Sequence, residues 1–343
     1  MTEVKKQPMD NLAFDQEGFR MSTPQAIAKY KAERLRCGKI ADLGAGIGIQ
    51  ALHFAAYSER VFAVDNDPSR LVYLRKNSET MGVHNLEVIE GNALDSKIIN
   101  MLSGMDAFHS DPSRKRTSET WSFEDLSPNP LDVLKKYKGD MFSFDIPPMF
   151  PRGLLQKDWE TEYISVSGEL KRMSVYVGGA KRYGRSALSL PDGGRIVEDR
   201  NLERDVRKRS KPLSWIYDLD ESLFYSDLVP EFLKMNLDVS LLHEDRQKTL
   251  VTSDKFVEGP FLTKSYSVLE SAVDIQDAKN KLSRMKVGKV ILRFPMDPTK
   301  YYDERRRLEK ELEGERTAYL FRFGGMLFIA ERVEKELGLE KIK

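Results

Sequence analysis

A single cysteine in 343 residues, Cys37, leaves no intrachain disulfide and no multi-cysteine zinc site. Histidine is equally scarce: the four stand apart at positions 53, 84, 109 and 243, so no metal ligand set is expected. An excess of one charge is missing too. The 55 Lys and Arg nearly balance 54 Asp and Glu, for a formal charge of +1, so any contact with nucleic acid has to be local. No apolar run approaches the roughly 20 residues that span a bilayer, and the start MTEVKKQPMD lacks the apolar core of a signal peptide. A cytoplasmic protein without membrane contact is expected. With 40% apolar and 32% charged residues, the chain has the composition of a globular protein, and its length admits two domains.

What the chain does have is a glycine turn. KIADLGAGIGI, residues 39–49, is an apolar run that ends at Asp42 and turns through Gly44, Gly46 and Gly48. Residues without Cβ let a ligand approach the backbone, and a helix over about 49–57 follows. The G-x-G-x-x-G spacing of dinucleotide sites is absent. A second strand, 61–64, runs into Asp65-Asn66-Asp67-Pro68, placing an acid about 20 residues after the glycines, where nucleotide-binding α/β sheets bond a ribose. A third strand, 86–89, leads to Asn92 and Ala93, with the Asn92 amide suited to an adenine edge. Asp65 and Asp67 before proline and Asn92 in a turn also fit an ordinary helix cap and an ordinary turn residue, and only their order within one βαβ series favours the ligand site. The cofactor set is therefore Asp42, Gly44, Ala45, Gly46, Gly48, Asp65, Asn66, Asn92 and Ala93. The pattern over about residues 19–190 resembles the class I S-adenosylmethionine-dependent methyltransferases, which implies a Rossmann-like, seven-stranded α/β domain and S-adenosylmethionine as cofactor. By that resemblance Ser22 or Thr23, just upstream of the turn, touches the methionine end. Thr23 is expected to N-cap the helix over 23–36, with Pro24 at its first position.

A fourth strand, 105–110, delivers Asp111-Pro112-Ser113-Arg114, and ligands in open α/β sheets bind at such carboxyl ends. An aromatic amine is a poor nucleophile, and a carboxylate accepting its hydrogens draws the nitrogen toward a reactive form. Asp111, with Pro112 fixing the turn and Arg114 beside it, suits that role. The aromatic of the Asp-Pro-Pro-Tyr/Phe motif of amino-methyltransferases is missing here, so a stacking partner is sought in Arg114, Trp121 or Phe123, the last two within a polar loop over 115–130. Packing of that loop onto the domain is the equal alternative for both aromatics. Asp145-Ile146-Pro147-Pro148, after a fifth strand over 138–144, is a rival acceptor motif and a candidate pocket lining with Phe150, but it stands one strand too late. Methylation of a pyrimidine ring carbon usually needs a cysteine that adds to the base, and Cys37 lies before the first strand, so nitrogen is the expected acceptor.

An alternating strand over 162–177, broken by Gly168, and a last, antiparallel strand over 185–190 complete the domain. The turn Pro191-Asp192-Gly193-Gly194 is the expected boundary, giving domains 1–192 and 193–343. The second is read as α+β: strands near 248–251 and 265–268, a helix over 274–285, a strand over 288–294, a helix over 298–312 and a hairpin of 317–323 with 326–332. Between 171 and 211 stand 12 Lys and Arg against 5 acids, a local cluster with Arg182, Arg185, Arg207, Lys208 and Arg209 as contacts to a phosphate backbone, or a plain solvated charge run.

STPQAIAKYKAERL, ADLGAGIG, DPSRK, WETEYISVSGELKRMSVYVGG and RFGGMLFIAER together resemble bacterial and archaeal class I methyltransferases that carry a C-terminal THUMP-like domain. That resemblance implies an RNA partner, rRNA or tRNA, with the second domain recognising it, and a monomer is favoured. Ser113 and the DIPP segment depart from the group's pattern and leave the target open among cytosine N4, guanine N2, adenine N6 and a ring nitrogen. The alternatives are a non-catalytic protein that binds cofactor and RNA, and a methyltransferase acting on a protein or small molecule.

Overall fold

The computed structural model describes residues 12–115, 119–245 and 248–333. The chain divides into two compact units, Met1–Glu198 and Asp199–Lys343.

The first unit is built on β1 (Lys39–Leu43), β2 (Arg60–Asp65), β3 (Leu86–Glu90) and β4 (Ala107–Ser110). A two-residue ladder of β5 (Ser113–Arg114) with β6 (Leu126–Ser127) follows, then β7 (Met141–Ile146), β8 (Glu160–Val166), β9 (Glu169–Gly178), β10 (Arg185–Leu190) and β11 (Gly194–Val197). Apart from the ladder, these strands form one sheet in the order β11-β10-β8-β9-β7-β4-β1-β2-β3. From β3 to β7 neighbours are parallel, while β9 runs antiparallel to both β7 and β8. The sheet has nine strands where seven were expected. β10 pairs parallel with β8, not antiparallel, and the extra strand β11 returns antiparallel beside it. The Pro191–Gly194 segment is therefore the turn of the β10–β11 hairpin, inside the first unit, and the boundary falls six residues later, after Glu198.

Among the described residues, six α-helices accompany the sheet: α1 (Gln16–Met21), α2 (Gln25–Arg34), α3 (Ile49–Ala55), α4 (Pro68–Thr80), α5 (Ser96–Met101) and α6 (Pro130–Lys136). Ala32 and Leu35 near the end of α2, Ala51 and Phe54 of α3, and Leu71 and Leu74 of α4 share one core cluster with Ile40, Val61, Ala63 and Ala107 of the sheet. The αα and αβ contacts thus converge behind the glycine turn, which lets that turn be held rigidly. α2 begins one residue later than expected. Pro24 is its N-cap and, having no polar side-chain atom, makes no capping bond, while the Thr23 hydroxyl accepts from Arg172.

The second unit carries a seven-stranded sheet in the order β13-β14-β12-β15-β18-β17-β16. Its strands are β12 (Trp215–Leu219), β13 (Ser240–Glu244), β14 (Thr249–Ser253), β15 (Leu262–Ala272), β16 (Val287–Leu292), β17 (Arg316–Phe323) and β18 (Met326–Val333). Among the described strands of this sheet, β16 and β17 are the parallel neighbours. Its helices are α7 (Glu221–Ser226), α8 (Val229–Met235), α9 (Ile275–Arg284) and α10 (Pro298–Glu309). Ala278 and Leu282 of α9 and Leu308 of α10 pack on Val290, Leu320, Leu327 and Ile329. The elements from β14 onward lie where the residue pattern put them; β12, α7, α8 and β13 are additions. No helix among the described residues is long and apolar enough to cross a membrane.

Candidate active site

The carboxyl ends of β1, β2, β3 and β4 open onto a cleft of about 590 Å³. Thr23, Asp42, Gly44, Ala45, Gly46, Asp65, Asn66, Asn92 and Ala93 all line it, as do Asp111, Pro112 and Arg114. Gly48 does not. Its φ of +92° caps α3, and a Cβ there would stand 2.6 Å from Leu74 Cγ, so its work is to let α3 and α4 close together. At Gly46, φ is +55° and an added Cβ would meet nothing within 4 Å, which leaves the backbone bare toward the cleft.

The amides of the turn point backward. Gly44 and Ala45 donate to the Val64 carbonyl at 2.8 and 3.0 Å, and Gly46 donates to Asp65 Oδ2 at 2.7 Å. Asp65 Oδ1 accepts from Asp67 N at 2.9 Å. The turn is thus stitched to the end of β2, and a ligand meets its bare backbone instead of a row of donors. Each Asp65 oxygen keeps a second lone pair for a hydroxyl. Asn92 Oδ1 accepts from Leu94 N at 2.9 Å, an ordinary turn bond, while the residue stays at the cleft wall.

Asp42 is buried, and its Oδ2 has no hydrogen-bond partner. Burial, with the Asp111 and Asp65 carboxylates nearby, pushes its carboxyl well above the usual range. A buried carboxylate of this kind is completed by a cation or a donor in the cleft. S-adenosylmethionine fits that requirement: it brings a cationic amino acid end for Asp42 and ribose hydroxyls for Asp65, against a wall with no side chain at Gly46.

Asp111 leaves β4 where Ser110 donates to the Leu43 carbonyl at 2.8 Å, which ties the strand end to β1. Arg172 Nη1 of β9 lies 2.6 Å from Asp111 Oδ2, and Arg114 Nη2 lies 3.3 Å from Oδ1. Arg172 also donates to Thr23 Oγ1 at 3.3 Å and stands 3.9 Å from Asp145 Oδ2. Asp145, the rival acceptor residue, is fully buried, ion-paired to Lys31 and bonded by the Ser174 hydroxyl at 2.8 Å. These cations hold its carboxyl below the usual range although burial alone would raise it. It therefore anchors Arg172 from beneath and does not line the cleft. His109, also buried, faces the Phe54 ring edge at 5.4 Å, and burial with Lys31 nearby pushes its imidazole down to about 3.

The N-terminal segment forms one side of the cleft through Gly18, Arg20 and Ser22. Asn77 of α4, fully buried, accepts from Ala13 N at 2.7 Å and donates to the Ala13 and Ile47 carbonyls at 3.0 and 3.1 Å. Arg70 pairs with Asp15 and Glu17 at 3.4 and 3.2 Å. Arg172, Lys31, Asn77 and Arg70 were not found from the sequence as parts of the site.

Trp121 does not line the cleft. Phe123 is buried against Phe150 at 4.9 Å and Trp159 at 6.0 Å, so Phe123 packs the loop onto the domain, and Phe150 is buried with it and does not line the cleft. The basic run disperses. Arg182 donates to the Arg34 carbonyl, Arg185 pairs with Glu198 at 2.6 Å and Arg195 with Glu162. In the second unit Arg207 donates to the carbonyls of Leu233, Asn236 and Val239 at the end of α8, while Lys208 and Arg209 lie exposed along β13. Among the described residues no cluster of three or more His, Cys, Asp or Glu is arranged to hold a metal.

The fold of this site is a Rossmann-like methyltransferase fold. A solved structure from Porphyromonas gingivalis W83, described as a methyltransferase, superposes with a TM-score of 0.70 over 93% of this chain and 83% of its own, at 17% identity. A Thermus thermophilus 16S rRNA N2 G1207 methyltransferase, solved with AdoMet and guanosine, matches over 51% of this chain and 45% of its own at 16% identity, with a TM-score of 0.36. An uncharacterized protein of Methanocaldococcus jannaschii is 39% identical over 70 residues, 20% of this chain, and the match spans about a quarter (27%) of that relative. No family model matches the chain.

Proposed function

We propose that this chain is an S-adenosylmethionine-dependent RNA methyltransferase acting on a base nitrogen, with an exocyclic amine of cytosine, guanine or adenine in rRNA or tRNA as the acceptor. The observation that carries this reading is the convergence of Asp42, Asp65 and Asp111 from three adjacent strand ends on one cleft. When bound, the cofactor supplies an electrophilic methyl. Asp42 and Asp65 orient it by its amino and ribose groups. Asp111 accepts the hydrogens of the acceptor amine and takes the proton that the nitrogen loses on methylation, and Arg172 and Arg114 fix where its oxygens stand. Positioning of this kind supplies most of the rate in a direct transfer.

RNA is supported by the resemblance to methyltransferases with a THUMP-like domain and by the exposed Lys208 and Arg209. The second unit is read as that THUMP-like domain, and the enzyme as a monomer. The internal pairing of Arg182, Arg185 and Arg207, and a cleft lining in which His109 is the one aromatic ring among the described residues, favour a second reading in which the acceptor is a protein or small molecule. Radiolabelled methyl transfer from S-adenosylmethionine to extracted RNA, set beside transfer to extracted protein, separates the two. Label in RNA that is lost in Asp111→Ala supports the proposal; label in protein or metabolites alone rejects it.

A further inference from the structure

The second unit contains a charge cluster unrelated to the cleft. Asp218, near the end of β12, is almost buried and receives Arg293 Nη2 on both oxygens, at 2.7 and 2.5 Å. Lys248, at the entry to β14, places Nζ 3.3 Å from Oδ1, and Lys264 of β15 places Nζ 3.8 Å from Oδ2. β14 and β15 are the two neighbours of β12, so the lysines flank Asp218 from both sides while Arg293 arrives from the segment after β16. Three cations share one carboxylate.

Such an excess is costly where solvent is reduced, because one carboxylate cannot offset three like charges. Burial, and then repulsion from Arg293 and Lys264, push the Lys248 amine down to about 8 despite the pull of Asp218. The heads are still reachable: Lys264 is about half exposed (46%), and Lys248 and Arg293 each keep 22%. Two buried rings, Phe321 and Tyr266, underlie them. Lys248 Nζ stands 5.3 Å over the Phe321 ring and the Arg293 guanidinium 5.6 Å over that of Tyr266. Lysine and arginine heads that converge while still reachable from solvent match a phosphate oxyanion.

We propose that Lys248, Lys264 and Arg293 form a phosphate-binding site on the second unit that takes a phosphodiester of the RNA substrate. This rests on the RNA methyltransferase reading above. A phosphate there supplies the negative charge the cluster lacks, and Asp218 holds Arg293 in place without filling its whole donor fork.

The test uses the full chain and a fluorescein-labelled RNA hairpin, with anisotropy followed over a salt series. Lys264→Gln and Lys248→Gln are each expected to weaken binding and to flatten the slope of log K on log salt by about one, while Lys264→Arg keeps both. Melting temperature and S-adenosylmethionine affinity should stay near wild type in all three. Wild-type affinity and slope in both Gln variants would overturn the site. Inorganic pyrophosphate, followed by ³¹P NMR, separates the two claims. If it binds in a Lys248- and Lys264-dependent way while RNA does not bind, the oxyanion site stands and the RNA reading fails. If neither probe binds, the site itself fails.

Discussion

Arg172 Nη1 and Asp111 Oδ2 lie 2.6 Å apart, and the arginine that makes this contact also stands 3.9 Å from buried Asp145 and bonds Thr23. The carboxylate assigned to the acceptor amine is thus aimed by a residue 61 positions later in the chain (172 − 111), and that residue is itself aimed by a buried acid.

Arg172→Gln should therefore lower kcat by about 100-fold, since a misplaced general base forfeits orientation, while cofactor affinity stays within a few-fold. Arg172→Lys should not restore turnover, because one ammonium cannot span Asp111, Asp145 and Thr23 together. Steady-state kinetics beside calorimetric titration with S-adenosylmethionine measures both. Parallel losses in kcat and in cofactor binding would place Arg172 in the cofactor site instead.

Lys31 and Asp145 are both fully buried and paired. Lys31→Met strips one partner from a buried carboxylate and should destabilise the first unit by about 3–5 kcal/mol, and Asp145→Asn in the same chain should recover part of that loss. Denaturant melts of the two singles and the double give the coupling directly.

His109 makes stability fall with acidity. Its imidazole sits at about 3 in the folded chain against an unfolded value near 6.5, so between those values the unfolded chain binds the extra proton and stability rises with pH. At pH 5 the cost relative to pH 7 is on the order of 2 kcal/mol, from about 1.5 units at 1.36 kcal/mol each. Urea melts at the two pH values should show a smaller difference in His109→Asn than in wild type. An equal difference would mean that another group carries the acid sensitivity.

Gly46 and Gly48 separate cofactor access from packing. Gly46→Ala should weaken S-adenosylmethionine binding at least about tenfold with about 1 kcal/mol lost in stability, because its Cβ enters open space facing the cleft. Gly48→Ala should cost about 1–3 kcal/mol of stability instead, since its Cβ meets Leu74. Thermal melts and titrations on both variants decide whether the two glycines divide the work in this way.

What could be read from the residues was whatever the chain writes locally. The glycine turn and the acids at 42, 65 and 111 sit at strand ends whose apolar runs mark them, and the structure gathers them on one cleft. Arg172, Lys31 and Asn77 act across 61 (172 − 111), 114 and 64 positions, distances over which no periodicity speaks. The internal partners of the charge run after 171 were hidden for the same reason: Glu162, Glu198 and the carbonyls at the end of α8 that hold Arg195, Arg185 and Arg207 become neighbours only on folding. Thr23 looked like a helix cap because Pro24 followed it, and its hydroxyl was taken by an arginine 149 residues away.

The most direct test of the account is mass spectrometry of nucleosides from rRNA and tRNA of a strain lacking this chain, each RNA then treated with purified protein and S-adenosylmethionine. The account predicts an N-methylated base that is absent from the strain and returns on treatment with wild type but not with Asp111→Ala. An unchanged nucleoside profile, with no methyl gained in vitro, would contradict it.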